Sequence, residues 1–268
     1  MNENQIINRL MQCFEAIIPS QDRRASIEHL SFVVNLVFFS FGDSKTFSLE
    51  SIRRSMIDCL HKNISRSAFW ERLSGKRLTC ILHGLIEELM TQFSDTLQVN
   101  NGLLEKLGVT AIEVVDSSSI TLSEKARDAF PGTRTKSSIK WHASFNLLNG
   151  TLSWFQLTPG RQSDQTCFPN VKSSENKLFI FDLGYWSYEL LYSIEKSGNF
   201  FLSRVKSNAA MKIIDVVHGV GEKAIKKPLS FIKNCKGKEG IIEVIVEKVY
   251  NENVLCYRVI GFWNPVEK

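Results

Sequence analysis

Lys177-Leu178-Phe179-Ile180-Phe181-Asp182-Leu183-Gly184-Tyr185-Trp186-Ser187 is the stretch on which the fold turns. Four consecutive apolar residues, Leu178 to Phe181, run into a carboxylate, Asp182, and Gly184 breaks the run. Ser187 is suited to cap a helix over about Tyr188–Ser197, with Glu189 in its first turn and Gly198 as its stop. A short, continuously apolar run between turn signals predicts a strand buried on both faces. An Asp at the end of such a strand stands at the rim of a sheet, where open α/β sheets bind ligands and metals. It can equally do no more than cap the helix that follows.

The chain repeats the pattern upstream. Val109-Thr110-Ala111-Ile112-Glu113-Val114-Val115-Asp116 is a β-branched, apolar run that also ends in a carboxylate. If the two strands are parallel neighbours, Asp116 and Asp182 lie side by side. Between them, residues 117–135 read as polar and irregular, with a turn at Pro131-Gly132. Ser138–Leu148 alternates around Ile139, Trp141, Ala143 and Phe145, Asn149-Gly150 signals a two-residue hairpin, and Thr151–Leu157 returns to Pro159-Gly160. Ser163-Asp164 can cap a short helix, and a further strand follows at Asn199–Val205. This order matches an RNase H-like arrangement, in which strands one to three form a meander and strand four lies parallel to strand one. Asp116 and Asp182 then become neighbours.

The flanks differ from this core. Residues 1–104 read as an all-helical region, residues 105–207 as the first part of the core, and residues 208–268 as a β-rich insertion with the core not completed. Ile6, Ile7, Leu10, Met11, Phe14, Ile17 and Ile18 keep helical spacing up to Pro19. Further helices are expected over Arg23–Phe41, after Ser48, after Ser65 or Ser67, and over Leu78–Phe93. Arg53, Arg54, Lys62, Arg66, Arg72, Lys76 and Arg77 would suit a helix-turn-helix DNA reader, but the plainer reading is an ordinary bundle with a solvated basic face. Downstream, Ile241–Tyr250 and Val254–Trp263 pair across Asn251-Glu252-Asn253. The lysines from Lys223 to Lys238 read as a solvated loop or as a DNA contact.

Composition narrows the class. Hydrophobic residues make up 43% and charged residues 23% of 268, as in a globular protein with a substantial core. A net charge of +5 permits a polyanionic partner without requiring one. Cys13, Cys59, Cys80, Cys167, Cys235 and Cys256 form no Cys-x-x-Cys pair, which argues against a zinc site or a disulfide framework and for a reducing cytoplasm. No secretory signal is read in residues 1–20, and Phe32–Phe41 is too short to span a bilayer, so no membrane role is expected.

Two adjacent carboxylates repel, and a hard divalent ion, Mg²⁺ or Mn²⁺, relieves the repulsion. Two such ions about 4 Å apart can drive an in-line phosphoryl transfer. At this point the chain resembles the DDE transposases of bacterial insertion sequences, of the insertion sequence 4 type. The resemblance rests on Val114-Val115-Asp116-Ser117-Ser118 and on Ile139-Lys140-Trp141-His142 with its hairpin. Leu157-Thr158-Pro159-Gly160 followed by Asp164, and above all Asp182-Leu183-Gly184-Tyr185, extend it. It implies an RNase H-like core in which Asp116 and Asp182 are catalytic, metal-binding carboxylates served by Mg²⁺ or Mn²⁺. It also implies double-stranded DNA as the partner, held by a homodimer. His142 is either a packed histidine or a catalytic helper; Tyr185 and Trp186 either pack in the core, position the Asp182 loop or meet DNA. Arg204 and Lys206 are phosphate-contact candidates. The family's third carboxylate lies in a Tyr-x-x-Arg-x-x-x-Glu motif that nothing here fits, since Tyr250 has Asn253 and Tyr257 has Ile260 at the Arg position. The resemblance therefore implies a truncated, inactive or nearly inactive form. The alternatives are a non-catalytic DNA-binding protein that occupies the element's ends, and a decayed gene product that does not fold stably.

Overall fold

The computed structural model describes residues 8, 11–15, 27–40, 48–94, 101–133, 137–148, 150–173, 175–235 and 240–262. The chain divides into two compact units, Met1–Gln98 and Val99–Lys268.

The first unit is helical. Residues 11–15 are helical, whereas Ile6, Ile7, Leu10, Ile17 and Ile18 of the expected first helix, and the Gly42 stop of the second, lie outside the described residues. Then come α1 (His29–Ser40), α2 (Leu49–Leu60), α3 (Arg66–Ser74) and α4 (Lys76–Ser94). Serines set the starts: the Ser48 side chain accepts from the Ser51 N–H while the Ser51 side chain accepts from the Ser48 N–H, and Ser65 accepts from the Ala68 N–H. Ile27, Phe32, Val33, Ile52, Met56, Ile64 and Phe69 form the core, with Phe32 and Phe69 edge-to-face at 5.7 Å.

The second unit opens with a short helix not anticipated from the sequence, α5 (Asn101–Leu107), whose first turn contains Gly102, a poor helix former. Gly108, at φ 66, ends it. There follow β1 (Ala111–Leu122), β2 (Ser137–Asn146), β3 (Leu152–Pro159), β4 (Lys177–Phe181), α6 (Tyr188–Lys196) and β5 (Phe200–Ser203). They form one five-stranded sheet in the order β3-β2-β1-β4-β5. β1 to β3 are antiparallel neighbours, while β4 runs parallel to both β1 and β5. A second, antiparallel sheet joins β6 (Lys212–His218), β7 (Ile241–Tyr250) and β8 (Asn253–Phe262). Val115, Phe179 and Phe181 of the first sheet, Leu191 and Ile194 of α6, and Ile213, Val244 and Val246 of the second sheet share one core.

Two local expectations are corrected. The stretch after Asp116 is strand, not irregular chain, through Leu122. Its polar residues pair along β2 from Asp116↔Ala143 to Leu122↔Ser137, so backbone pairing overrides their weak strand pattern. The hairpin signalled by Asn149-Gly150 is present but wider than two residues, because β2 ends at Asn146 and β3 begins at Leu152. Its closure comes from Asn146 N–H to the Thr151 carbonyl and Gly150 N–H to the Asn146 carbonyl, each 2.8 Å. Asn149, Lys236, Lys238 and Trp263 lie outside the described residues.

Candidate active site

The parallel register of β1 and β4 runs from Ala111↔Lys177 to Val115↔Phe181. Residues 116 and 182 are therefore next in step, at the level where β4 ends and β1 continues with β2 alone. Both Asp116 and Asp182 are exposed. Each has one oxygen held by the local backbone: Asp116 Oδ1 accepts from the Ser117 N–H at 2.7 Å, and Asp182 Oδ1 from the Gly184 N–H at 2.8 Å. The second bond closes a tight turn of the kind Asp favours.

A third carboxylate stands beside them. Asp164, from the helical turn Asp164–Thr166 after β3, accepts from Lys140 Nζ at 2.8 Å and from Ser117 Oγ at 3.3 Å. Sequence reading missed its place here, although Asp164 and Lys140 both fell within the stretches that carried the resemblance. The signal was a polar residue after the Pro159-Gly160 stop, which fixes no direction for the side chain.

Beneath this rim lies a buried polar chain. His142 is 0% exposed; its Nδ1 meets Tyr185 Oη at 2.9 Å and its Nε2 meets Thr158 Oγ1 at 3.0 Å. A neutral ring offers one donor and one acceptor, and both are used. Tyr185 is also 0% exposed and Trp186 5%, so neither is placed to meet DNA. Burial pushes the Tyr185 hydroxyl's pKa well above its ordinary range; the carboxylates of Asp164, Asp116 and Asp182 push the same way, against a Ser117 hydrogen bond. His142 Nδ1 also lies 3.8 Å from Asp164 Oδ1, which ties the buried chain to the rim.

Burial also lowers the His142 pKa, with Asp164 working against the shift and Lys140 with it. The unfolded chain therefore takes up the proton first, and stability falls as pH drops below about 6.5. Thermal melts should show the native chain losing its margin over His142→Gln between about pH 7 and pH 5. A constant margin would mean that the imidazole is not held neutral.

The basic candidates are dispersed. Arg204, at the end of β5, is exposed, whereas Lys206 donates to the Trp186 carbonyl at 2.7 Å with its ammonium 5.4 Å from the Trp186 ring. In the helical unit, Arg53 is bound to Glu50 at 2.7 Å and to the Ile64 carbonyl at 2.7 Å. Arg53 foremost, with Arg66, holds the Glu50 carboxyl down to about 2. Arg72 lies 5.1 Å over the Phe32 ring. Arg54 and Arg66 reach Glu50 only at 3.4 and 3.3 Å and stay 72% and 69% exposed; Lys76 and Arg77 are exposed.

The donor chemistry of Asp116 and Asp182, two exposed carboxylates in step at one sheet rim, fits a hard divalent cation. No cluster of three or more acidic, histidine or cysteine side chains set to hold an ion occurs among the described residues. Residues 109–253 match the family described as Transposase DDE domain. The chain belongs to that family. As a DDE transposase domain it resembles the transposase for insertion sequence element IS1151 of Clostridium perfringens, 26% identical over 196 residues, covering 71% of this chain and 41% of that protein. It also resembles the transposase for IS231F of Bacillus thuringiensis subsp. israelensis, 25% identical over 145 residues, covering 52% of this chain and 30% of that one. The chain thus spans well under half the length of these curated relatives. A structure of piggyBac transposase in a synaptic complex with hairpin DNA aligns over 96% of this chain and 58% of its own, at 10% identity and a TM-score of 0.35, too slight a likeness to bear on the fold.

Proposed function

We propose that this DDE transposase domain is part of the RNase H-like catalytic core of an insertion sequence transposase of the insertion sequence 4 type, acting on double-stranded DNA. The single observation that carries the reading is the β1–β4 register, which sets Asp116 and Asp182 in step at the rim of the sheet. In this reading the two carboxylates hold Mg²⁺ or Mn²⁺. When bound, such ions would supply the activation of the attacking oxygen and the stabilisation of the leaving one in strand cleavage and transfer at the element's ends. The chain's own part is to aim the ligands: the Ser117 and Gly184 N–H groups each fix one carboxylate oxygen. His142 and Tyr185 lie one layer below and support the Asp182 turn rather than reach a phosphate. The setting is cytoplasmic, and a dimer would hold two DNA ends.

Mn²⁺ titration of the purified chain, followed by electron paramagnetic resonance, tests the reading. Asp116→Asn and Asp182→Asn should each abolish the tight component. Binding that both variants leave unchanged overturns it.

A second reading, DNA binding by the helical unit, is favoured by the exposure of Arg54, Arg66, Lys76 and Arg77 around α3. Each phosphate neutralised contributes about −0.9 to the slope of log K against log salt. Replacing Lys76 and Arg77 together with Ala should flatten that slope by about 2 in a mobility-shift series. An unchanged slope removes these two residues from any DNA interface.

A further inference from the structure

We infer that the Lys140–Asp164 ion pair is a positioning device that fixes the turn carrying Asp182 against the strand carrying Asp116. The inference rests on the reading of those two carboxylates as the metal-binding pair.

Asp164 bonds to the residue that holds one ligand and lies close to the residue that holds the other. Its Oδ1 accepts from Ser117 Oγ at 3.3 Å, and the Ser117 N–H is the group that holds Asp116 Oδ1. Its Oδ2 lies 2.8 Å from where a Cβ on residue 184 would stand, a distance real side chains do not tolerate. A side chain at position 184 would push the Asp164 carboxylate aside, and the Gly184 N–H is the group that holds Asp182 Oδ1 at 2.8 Å. A Cβ there would also come within 3.0 Å of that same Asp182 oxygen. One carboxylate thus reaches the residue after Asp116 and the residue two beyond Asp182.

A third negative group so close to two others would be repelled without a counter-charge. Lys140 supplies it at 2.8 Å from Asp164 Oδ1, and the same ammonium donates to the Gln162 carbonyl at 3.0 Å. It therefore ties the loop after β3 to β2 as well as neutralising the carboxylate. The pair is largely out of water, with side chains 14% and 22% exposed, so its geometry is not easily loosened by solvent. With Oδ1 taken up by Lys140 and Ser117, Asp164 acts on the metal-binding pair through Ser117 and Gly184.

Two measurements on the full chain test this. In the metal-free protein, Asp164→Asn should move the ¹⁵N–¹H resonances of Ser117 and Gly184. With Mn²⁺, the same variant should weaken binding about 10–100-fold while Asp116 and Asp182 are intact, the usual effect of removing a group that orients metal ligands. Lys140→Met should reproduce both effects and keeps the test open if Asp164→Asn does not fold. The double variant should be no worse than the worse single one, because the two side chains act as a unit. A pair that only stabilises the fold would lower the melting temperature and leave both readouts in place. Unmoved resonances with Mn²⁺ affinity within about twofold of native overturn the inference. If Asp182→Asn leaves Mn²⁺ binding unaltered, the metal reading fails instead, and the resonances alone decide whether the pair positions the turn.

Discussion

Mn²⁺ at about a hundred times its dissociation constant should raise the melting temperature of the unit Val99–Lys268 by about 5–10 °C, and Asp182→Asn should erase the rise. The magnitude follows from linkage. A ligand at that excess stabilises the native state by about 2.7 kcal/mol, and in a domain of this size each kcal/mol moves the transition by about 2–4 °C. The Asn variants are chosen because their side-chain oxygen can still accept from the Ser117 or Gly184 N–H that holds the native carboxylates. Melting without metal should therefore change little, and the lost response then reports a lost ligand rather than a damaged fold. Chelation with EDTA should return the native chain to its metal-free transition. A native chain whose melting ignores Mn²⁺ would leave the pair without its ion.

The pairing of these carboxylates was legible because it rests on features a sequence displays directly. Leu178–Phe181 is wholly apolar and Val109–Val115 is apolar apart from Thr110 and Glu113, each meets an Asp, and the number and order of elements between them favours a parallel pairing. The continuation of β1 to Leu122 was not legible. Ser117-Ser118-Ser119 has no hydrophobic period, and only the partner strand's backbone fixes its conformation. The same limit hid the work of Asp164 and Lys140. Their separation along the chain says nothing of an ion pair, which needs the β2–β3 register and the loop after Pro159 to be known first. Among the basic residues, sequence could not separate Arg53, engaged with Glu50 and a backbone carbonyl, from Lys76, which is exposed. Both are cations on helices of the same unit. What differs is which helix face each occupies relative to Phe32, Phe69 and the rest of that core.

Tyr185→Ala should destabilise the second unit by at least about 3–5 kcal/mol, enough to leave a domain of ordinary stability marginal or unfolded. The ring is fully buried, 5.7 Å from Phe168 and 6.0 Å from His142, and Phe168 in turn lies 5.6 Å from Phe179 and 5.3 Å from Phe181 on β4. Removing it opens a cavity beneath the strand that delivers Asp182. Tyr185→Phe separates packing from hydrogen bonding, since it keeps the ring and strips His142 Nδ1 of its 2.9 Å partner. A buried nitrogen left unpaired costs about 1–3 kcal/mol at neutral pH. The remaining polar neighbour of that nitrogen is Asp164 Oδ1 at 3.8 Å, which favours a protonated ring. The loss in Tyr185→Phe relative to the native chain should therefore shrink as pH falls. Urea melts followed by the fluorescence of the adjacent, buried Trp186 would read all three proteins. Equal midpoints for Tyr185→Phe and the native chain at neutral pH would show that the Tyr185–His142 bond carries no stability.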